Sequence, residues 1–183
     1  MTLTHEPAAG TGWRVSRRSQ LTIPIVTGVG RGPTTLGAFD AALRSAGIAD
    51  RNLIVLSSVI PPASDVVVAD HAIPPPGDWG DRLYVVMAEL RTVTRHEELA
   101  VGVGWVQTED DRRGLFAEHV GHTEEEVRRD INATLDTMGT ARPERFGPPA
   151  MVVRSAVCGD EPTAVLVAAV YDAAPWDEPG STR

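Results

Sequence analysis

Two adjacent serines, Ser57 and Ser58, stand where the apolar run Asn52-Leu53-Ile54-Val55-Leu56 gives way to Val59-Ile60-Pro61-Pro62. A hydroxyl buried in such a run must find a hydrogen-bond partner, because leaving it unpaired is costly. A serine oxygen is also a nucleophile once a base takes its proton. The plainer reading makes the pair a strand end, with the two prolines as the breaker. Two carboxylates are further candidates. Glu118 lies in Gly114-Leu115-Phe116-Ala117-Glu118-His119, where apolar surroundings favour the protonated acid and suit it to hold a proton near neutrality. Its alternative is a solvated strand face. Asp40 follows Phe39; it is either an ordinary exposed helical acid or a grip for a guanidinium or ammonium group.

Other motifs carry less chemistry. Gly28-Val29-Gly30-Arg31-Gly32-Pro33 follows a strand and precedes a helix, as a dinucleotide-binding turn does, but the third glycine of that fingerprint falls at Pro33. Glycines there also permit close approach by another group. His119 and His122 lack a third ligand at recognisable spacing, so no metal site is expected. Cys158 is the only cysteine, which excludes an intramolecular disulfide and a cysteine-based metal centre.

The 183 residues fit one domain with a substantial core, and 42% hydrophobic with 23% charged residues is ordinary for a soluble globular chain. A net charge of −8 argues against nucleic acid or an anionic membrane as main partner. The apolar run Ala164 to Val170 is too short to span a bilayer, and residues 1–19 contain no signal-peptide core. A cytoplasmic protein is the resulting expectation.

These residues must be positioned by a small set of elements. Residues 1–19 read as a flexible arm, 20–171 as the single domain and 172–183 as a loose tail. Leu21 to Thr27 forms a first strand ending in the glycine loop, with Pro24 marking an edge or irregular position. A helix from Thr34 or Thr35 to Ala46 buries Leu36, Phe39, Leu43 and Ala46, and Gly47 stops it. Strands follow at Val66–Val68, Leu83–Leu90, Val101–Val106 and Leu115–Val120, with glycines 102 and 104 signalling close packing. A second helix from Glu124 to Met138 opens with a Thr123/Glu126 capping box, buries Val127, Ile131, Leu135 and Met138, and closes at Gly139. Two last strands, Met151–Cys158 and Ala164–Tyr171, are joined by Gly159-Asp160-Glu161-Pro162 as a hairpin. The expected class is α+β: an αββα-type sandwich of mainly antiparallel or mixed sheets with two amphipathic helices.

Taken together, Thr27-Gly28-Val29-Gly30, the helix ending at Gly47, Asn52-Leu53, Ser57-Ser58-Val59-Ile60-Pro61-Pro62 and Gly114-Leu115-Phe116-Ala117-Glu118 resemble the pyruvoyl-dependent arginine decarboxylases. The likeness extends from about residue 21 to 171. It implies a self-cleaving precursor, or zymogen. Ser58 Oγ would attack the Ser57 carbonyl to give an ester, and elimination and hydrolysis would leave a covalent pyruvoyl group derived from Ser58. That group would be the cofactor, an electron sink for decarboxylating arginine to agmatine, a step of polyamine biosynthesis. The resemblance further implies Glu118 as proton donor, Asn52 as a residue supporting processing, and Asp40 and Val59 as substrate contacts. It also implies a homotrimer, or a multiple of trimers, with a small-molecule amino-acid substrate.

One geometric expectation concerns Asn52 and Ser58. In a straight strand their separation is roughly 20 Å at about 3.3 Å per residue. Unless the strand bends sharply, Asn52 cannot reach its own Ser58, so each site should draw Asn52 or Asp40 from a neighbouring subunit. Two other functions stay open at this point: a pyruvoyl decarboxylase acting on a different amino acid, and an uncleaved, non-catalytic binding or assembly homologue.

Overall fold

The segment around Ser57 and Ser58 is not one strand: it leaves one β-sheet and enters another. The computed structural model describes residues 20–69 and 77–176, so the expected arm at 1–19 and the end of the expected tail lie outside the described residues. In chain order the elements are β1 (Leu21–Arg31), α1 (Thr35–Ser45), β2 (Asn52–Val55), β3 (Val59–Ile60), β4 (Ser64–Val68), β5 (Arg82–Thr92), β6 (Glu98–Gln107), β7 (Gly114–Gly121), α2 (Glu124–Thr140), β8 (Ala150–Val157) and β9 (Thr163–Ala174). One sheet has the order β2-β5-β9-β1-β4 and the other β3-β7-β6-β8. The β1/β4 and β2/β5 pairs are parallel and the rest antiparallel. This is the α+β architecture expected from the sequence.

Alternation along the strands divides the apolar residues among three layers. Ile23, Ile25, Val86, Val165 and Val167 meet Val101, Val103 and Phe116 between the sheets. On the outer face of the first sheet, Val26, Val85 and Leu166 receive α1. On the outer face of the second, Ala100, Leu115 and Ala117 receive α2. The result is helix, sheet, sheet, helix. Strand β9 lies at the centre of its sheet and is buried on both faces from Thr163 to Val170, which explains its unbroken apolar run. Among the described residues no helix is long and apolar enough to cross a membrane.

Four sequence readings need correction. First, β1 runs through the glycines to Arg31 instead of ending at Thr27. A methyl group on Gly28 or Gly30 would overlap the α1 backbone at Ala42 or Ala38; the glycines serve close helix packing. Pro24 is tolerated within β1 because the ladder to β9 starts one residue later, at Ile25. Second, that close approach changes the buried face of α1. Ala38, Ala42 and Ala46 are fully buried, Phe39 and Leu43 flank them, and Leu36 is 69% exposed.

Third, α2 continues past Gly139 to Thr140, so Gly139 lies inside the helix instead of closing it. Fourth, Gly159 to Pro162 does not make a hairpin. β8 pairs with β6 in one sheet and β9 with β1 and β5 in the other, so this turn carries the chain across the sandwich. Ordered structure also continues beyond Tyr171, since β9 runs to Ala174 and the Trp176 indole donates to the Gly80 carbonyl.

Other local readings agree with the structure. Gly47 has φ 73° after α1, the left-handed stop that glycine favours. Thr123 Oγ1 accepts from the Glu126 amide, and Glu126 reaches back to the His122 amide. A methyl on Gly102 would stand 2.8 Å from Val127 and 2.9 Å from Ile131, so β6 is thin where α2 presses on it.

Candidate active site

Between β2 and β3 the chain carries Leu56, Ser57 and Ser58 from one sheet to the other. The Leu56 amide still extends the β2 ladder, donating to the Val85 carbonyl at 2.8 Å. Two residues later the Phe116 amide donates to the Ser58 carbonyl at 2.8 Å, which joins Ser58 to β7. The crossing is made by backbone torsion: Ser58 has φ 60°, a left-handed conformation that costs a non-glycine residue about 1–2 kcal/mol. Ser57 beside it is exposed and Ser58 half-buried.

The Ser58 hydroxyl donates to Glu118 Oε1 at 2.5 Å. Glu118 is two residues beyond Phe116 on β7, so both face the space between the sheets; Phe116 closes the core there and Glu118 stands half-buried at its margin. A short bond from a hydroxyl to a carboxylate both aims the oxygen and provides a receiver for its proton. Two of the residues singled out from the sequence, Ser58 and Glu118, thus meet although sixty positions separate them.

The others are placed elsewhere within the chain. Asn52 starts the edge strand β2, and its side-chain amide donates to the Gly80 carbonyl at 2.5 Å. Asp40 is on the exposed shoulder of α1, ion-paired to Arg44 at 2.8 Å. The neighbouring Phe39 is covered by the Arg91 guanidinium 3.7 Å from its ring centre, and Arg91 is held by Glu89 at 2.9 Å. Val59 is 56% exposed and borders a cavity of about 570 Å³ with Ile60, Pro61, Pro62, Leu115 and Phe146. His119 points to α2, 2.7 Å from the Thr134 hydroxyl, on the other face of β7 from Glu118.

Sequence reasoning missed two groups at this site. One is the Phe116 amide, a backbone donor that only strand pairing can aim. The other is Tyr171, whose hydroxyl donates to the Val59 carbonyl at 3.0 Å. Its ring meets Phe116 edge to face, with centres 6.2 Å apart. Burial, and then the nearby Glu118 charge, push its phenol well above the ordinary tyrosine range. A signal existed in the sequence: Tyr171, one of only two tyrosines, closes the apolar run of β9.

The arrangement fits the residue from which a pyruvoyl group would come: a serine with a strained backbone, its hydroxyl on a carboxylate and its carbonyl on an amide. Comparison with known proteins identifies the family. The family model "Pyruvoyl-dependent arginine decarboxylase" matches residues 22–174. A protein of that name from Halobacterium salinarum is 35% identical over 156 residues, covering 84% of this chain and 96% of the relative. Pyruvoyl-dependent arginine decarboxylase 2 of Archaeoglobus fulgidus is 33% identical over 151 residues, 80% of this chain and 92% of the relative. A third relative, from Picrophilus torridus, is 34% identical over 103 residues, 55% of this chain, and there the match spans about half of the relative's length, 56%. With the family model spanning most of its length, the chain belongs to the pyruvoyl-dependent arginine decarboxylase family.

Proposed function

We propose that this chain cuts itself between Ser57 and Ser58 and then decarboxylates arginine to agmatine and carbon dioxide. The observation that carries the reading is the 2.5 Å bond from the Ser58 hydroxyl to Glu118, at a residue held with positive φ. In the cut, the Ser58 oxygen bonds to the Ser57 carbonyl carbon as the Ser57–Ser58 C–N bond breaks and the freed nitrogen takes up a proton. Loss of the Ser58 α-proton then breaks the Cβ–O bond and frees residues 1–57 as a carboxylate, and water replaces the nitrogen of residue 58, which leaves as ammonia. The serine proton has Glu118 as its nearest receiver. Strain at Ser58 favours the step, because leaving the peptide geometry relieves it.

The pyruvoyl group formed from Ser58 supplies an electron sink for the bond that breaks when carbon dioxide leaves. The chain's own residues do the rest. The Phe116 amide holds and polarises the carbonyl of residue 58, the oxygen that shares the developing charge. Glu118 carries the proton that the substrate carbon receives. Val59 offers an exposed apolar wall beside residue 58. Intact mass spectrometry together with carbon dioxide release tests the reading. Two fragments, 1–57 and 58–183, with a blocked second fragment and turnover of arginine are expected; a full-length mass after prolonged incubation, or inert arginine, sinks it.

Asn52 and Asp40 belong to this proposal as contributions from a neighbouring subunit, in a trimer or a multiple of trimers. Their bonds to Gly80 and Arg44, away from Ser58, support that reading. Co-expressing Asp40→Ala with Glu118→Gln should restore up to about a quarter of wild-type activity, since random mixing leaves that share of interfacial sites intact. No recovery would mean that each chain supplies its own acid. The setting we propose is the cytosol, where a lone buried thiol such as Cys158 stays reduced.

A further inference from the structure

Strand β9 carries an irregularity that the reaction just described does not use. It pairs with β5 as Val170↔Val85 and then Asp172↔Tyr84, so Tyr171 has no partner on β5. A bulge inserts one extra residue and re-aims side chains, and bulges gather beside active sites. Here the residue set free is the one whose hydroxyl leaves the five-stranded sheet and bonds the Val59 carbonyl in the four-stranded sheet at 3.0 Å.

Strand β3 needs such a hold. It is two residues long, pairs only as Val59↔Leu115 and Ile60↔Gly114, and is preceded by Ser58. While the chain is continuous, Ser58 is tied to the first sheet through Ser57 and the Leu56 amide bond. A cut at Ser57–Ser58 removes that tie and turns residue 58 into a chain end, and chain ends fray. The Tyr171 hydroxyl is then a bond from the opposite sheet one residue from the new end. The Phe116 ring, packed on Tyr171, belongs to the residue whose amide grips the carbonyl of residue 58.

We propose that Tyr171 is a positioning residue that fastens the new chain end after self-cleavage, keeping residue 58 against the Phe116 amide and Glu118. This rests on the maturation proposed above. The phenol remains a donor through mildly alkaline pH because burial and the Glu118 charge oppose its ionisation.

The test is hydrogen exchange at the Phe116 amide, followed in the cut protein and in an uncut Ser58→Ala background. Tyr171→Phe keeps the ring and removes only the hydroxyl. In the cut protein it should speed exchange at Phe116 by about tenfold, the scale of one hydrogen bond, and lower kcat for arginine by a similar factor with KM within about twofold. In the Ser58→Ala background the same substitution should change exchange by less than about twofold, because Ser57 still holds the segment. Equal acceleration in both backgrounds would make Tyr171 a general structural contact and overturn the proposal. So would unchanged exchange and kcat in a cut Tyr171→Phe protein, which leaves the self-cleavage reading standing. An uncut wild-type chain sinks both.

Discussion

Ser58→Ala yields a single uncut chain with no decarboxylase activity above background, a loss of at least about 10⁴-fold, the scale of deleting a nucleophile. The variant lacks both the attacking oxygen and the atoms that become the pyruvoyl group. It should still fold, since the Phe116 amide bond goes to the Ser58 backbone and the lost hydroxyl bond to Glu118 is worth about 1.5–3 kcal/mol. Ser58→Gly separates strain from chemistry. Glycine adopts φ 60° freely, so this variant should be more stable than Ser58→Ala by about 1 kcal/mol while being equally inert. Intact mass spectrometry and calorimetry read the two effects. A cut Ser58→Ala chain would remove Ser58 as nucleophile; equal melting of the two variants would show that its torsion stores nothing.

Glu118→Gln has the second large effect, and it should divide the two halves of the reaction. A glutamine oxygen can still accept the Ser58 hydroxyl bond that Glu118 accepts at 2.5 Å, so the nucleophile stays aimed. The serine proton must then pass to water instead of a carboxylate, so self-cleavage slows but still runs to completion on prolonged incubation. Decarboxylation is different, because the substrate carbon must receive a proton from a placed acid and an amide has none to give. Activity of the cut variant should fall by about 10²–10⁴-fold, the worth of general acid–base catalysis. Single-turnover kinetics on protein cut to completion reads this directly. Full turnover by the cut variant would strip Glu118 of its role. A variant that never cuts would make it the indispensable base of maturation instead.

How much of this was legible beforehand depended on whether the signal was local. Caps are local: Thr123 with Glu126, and Gly47 in its left-handed conformation, read correctly from neighbours in sequence. So is the face of α2, where Val127, Ile131 and Leu135 recur at helical spacing and are buried. The face of α1 misled because size suggested Leu36, whereas the glycines of β1 admit a helix only if it presents alanines. The turn at Gly159 misled in a similar way. It specifies a change of direction, but not which of two sheets the next strand joins.

The sequence alone determined the residue types and the local geometry of the reactive segment. Those were a serine pair ending an apolar run before two prolines, an acid two places beyond Phe116, and a family pattern carried by both. Tertiary structure decided which of them meet. Period-two alternation assigns a residue to a face of its strand but says nothing about the partner across the sandwich. The joining of Ser58 to Glu118, the Phe116 amide on the Ser58 carbonyl, and Tyr171 released by a bulge to reach Val59 all depend on the stacking of two sheets. Long-range pairing sets that stacking, because only there do separate apolar faces leave water together.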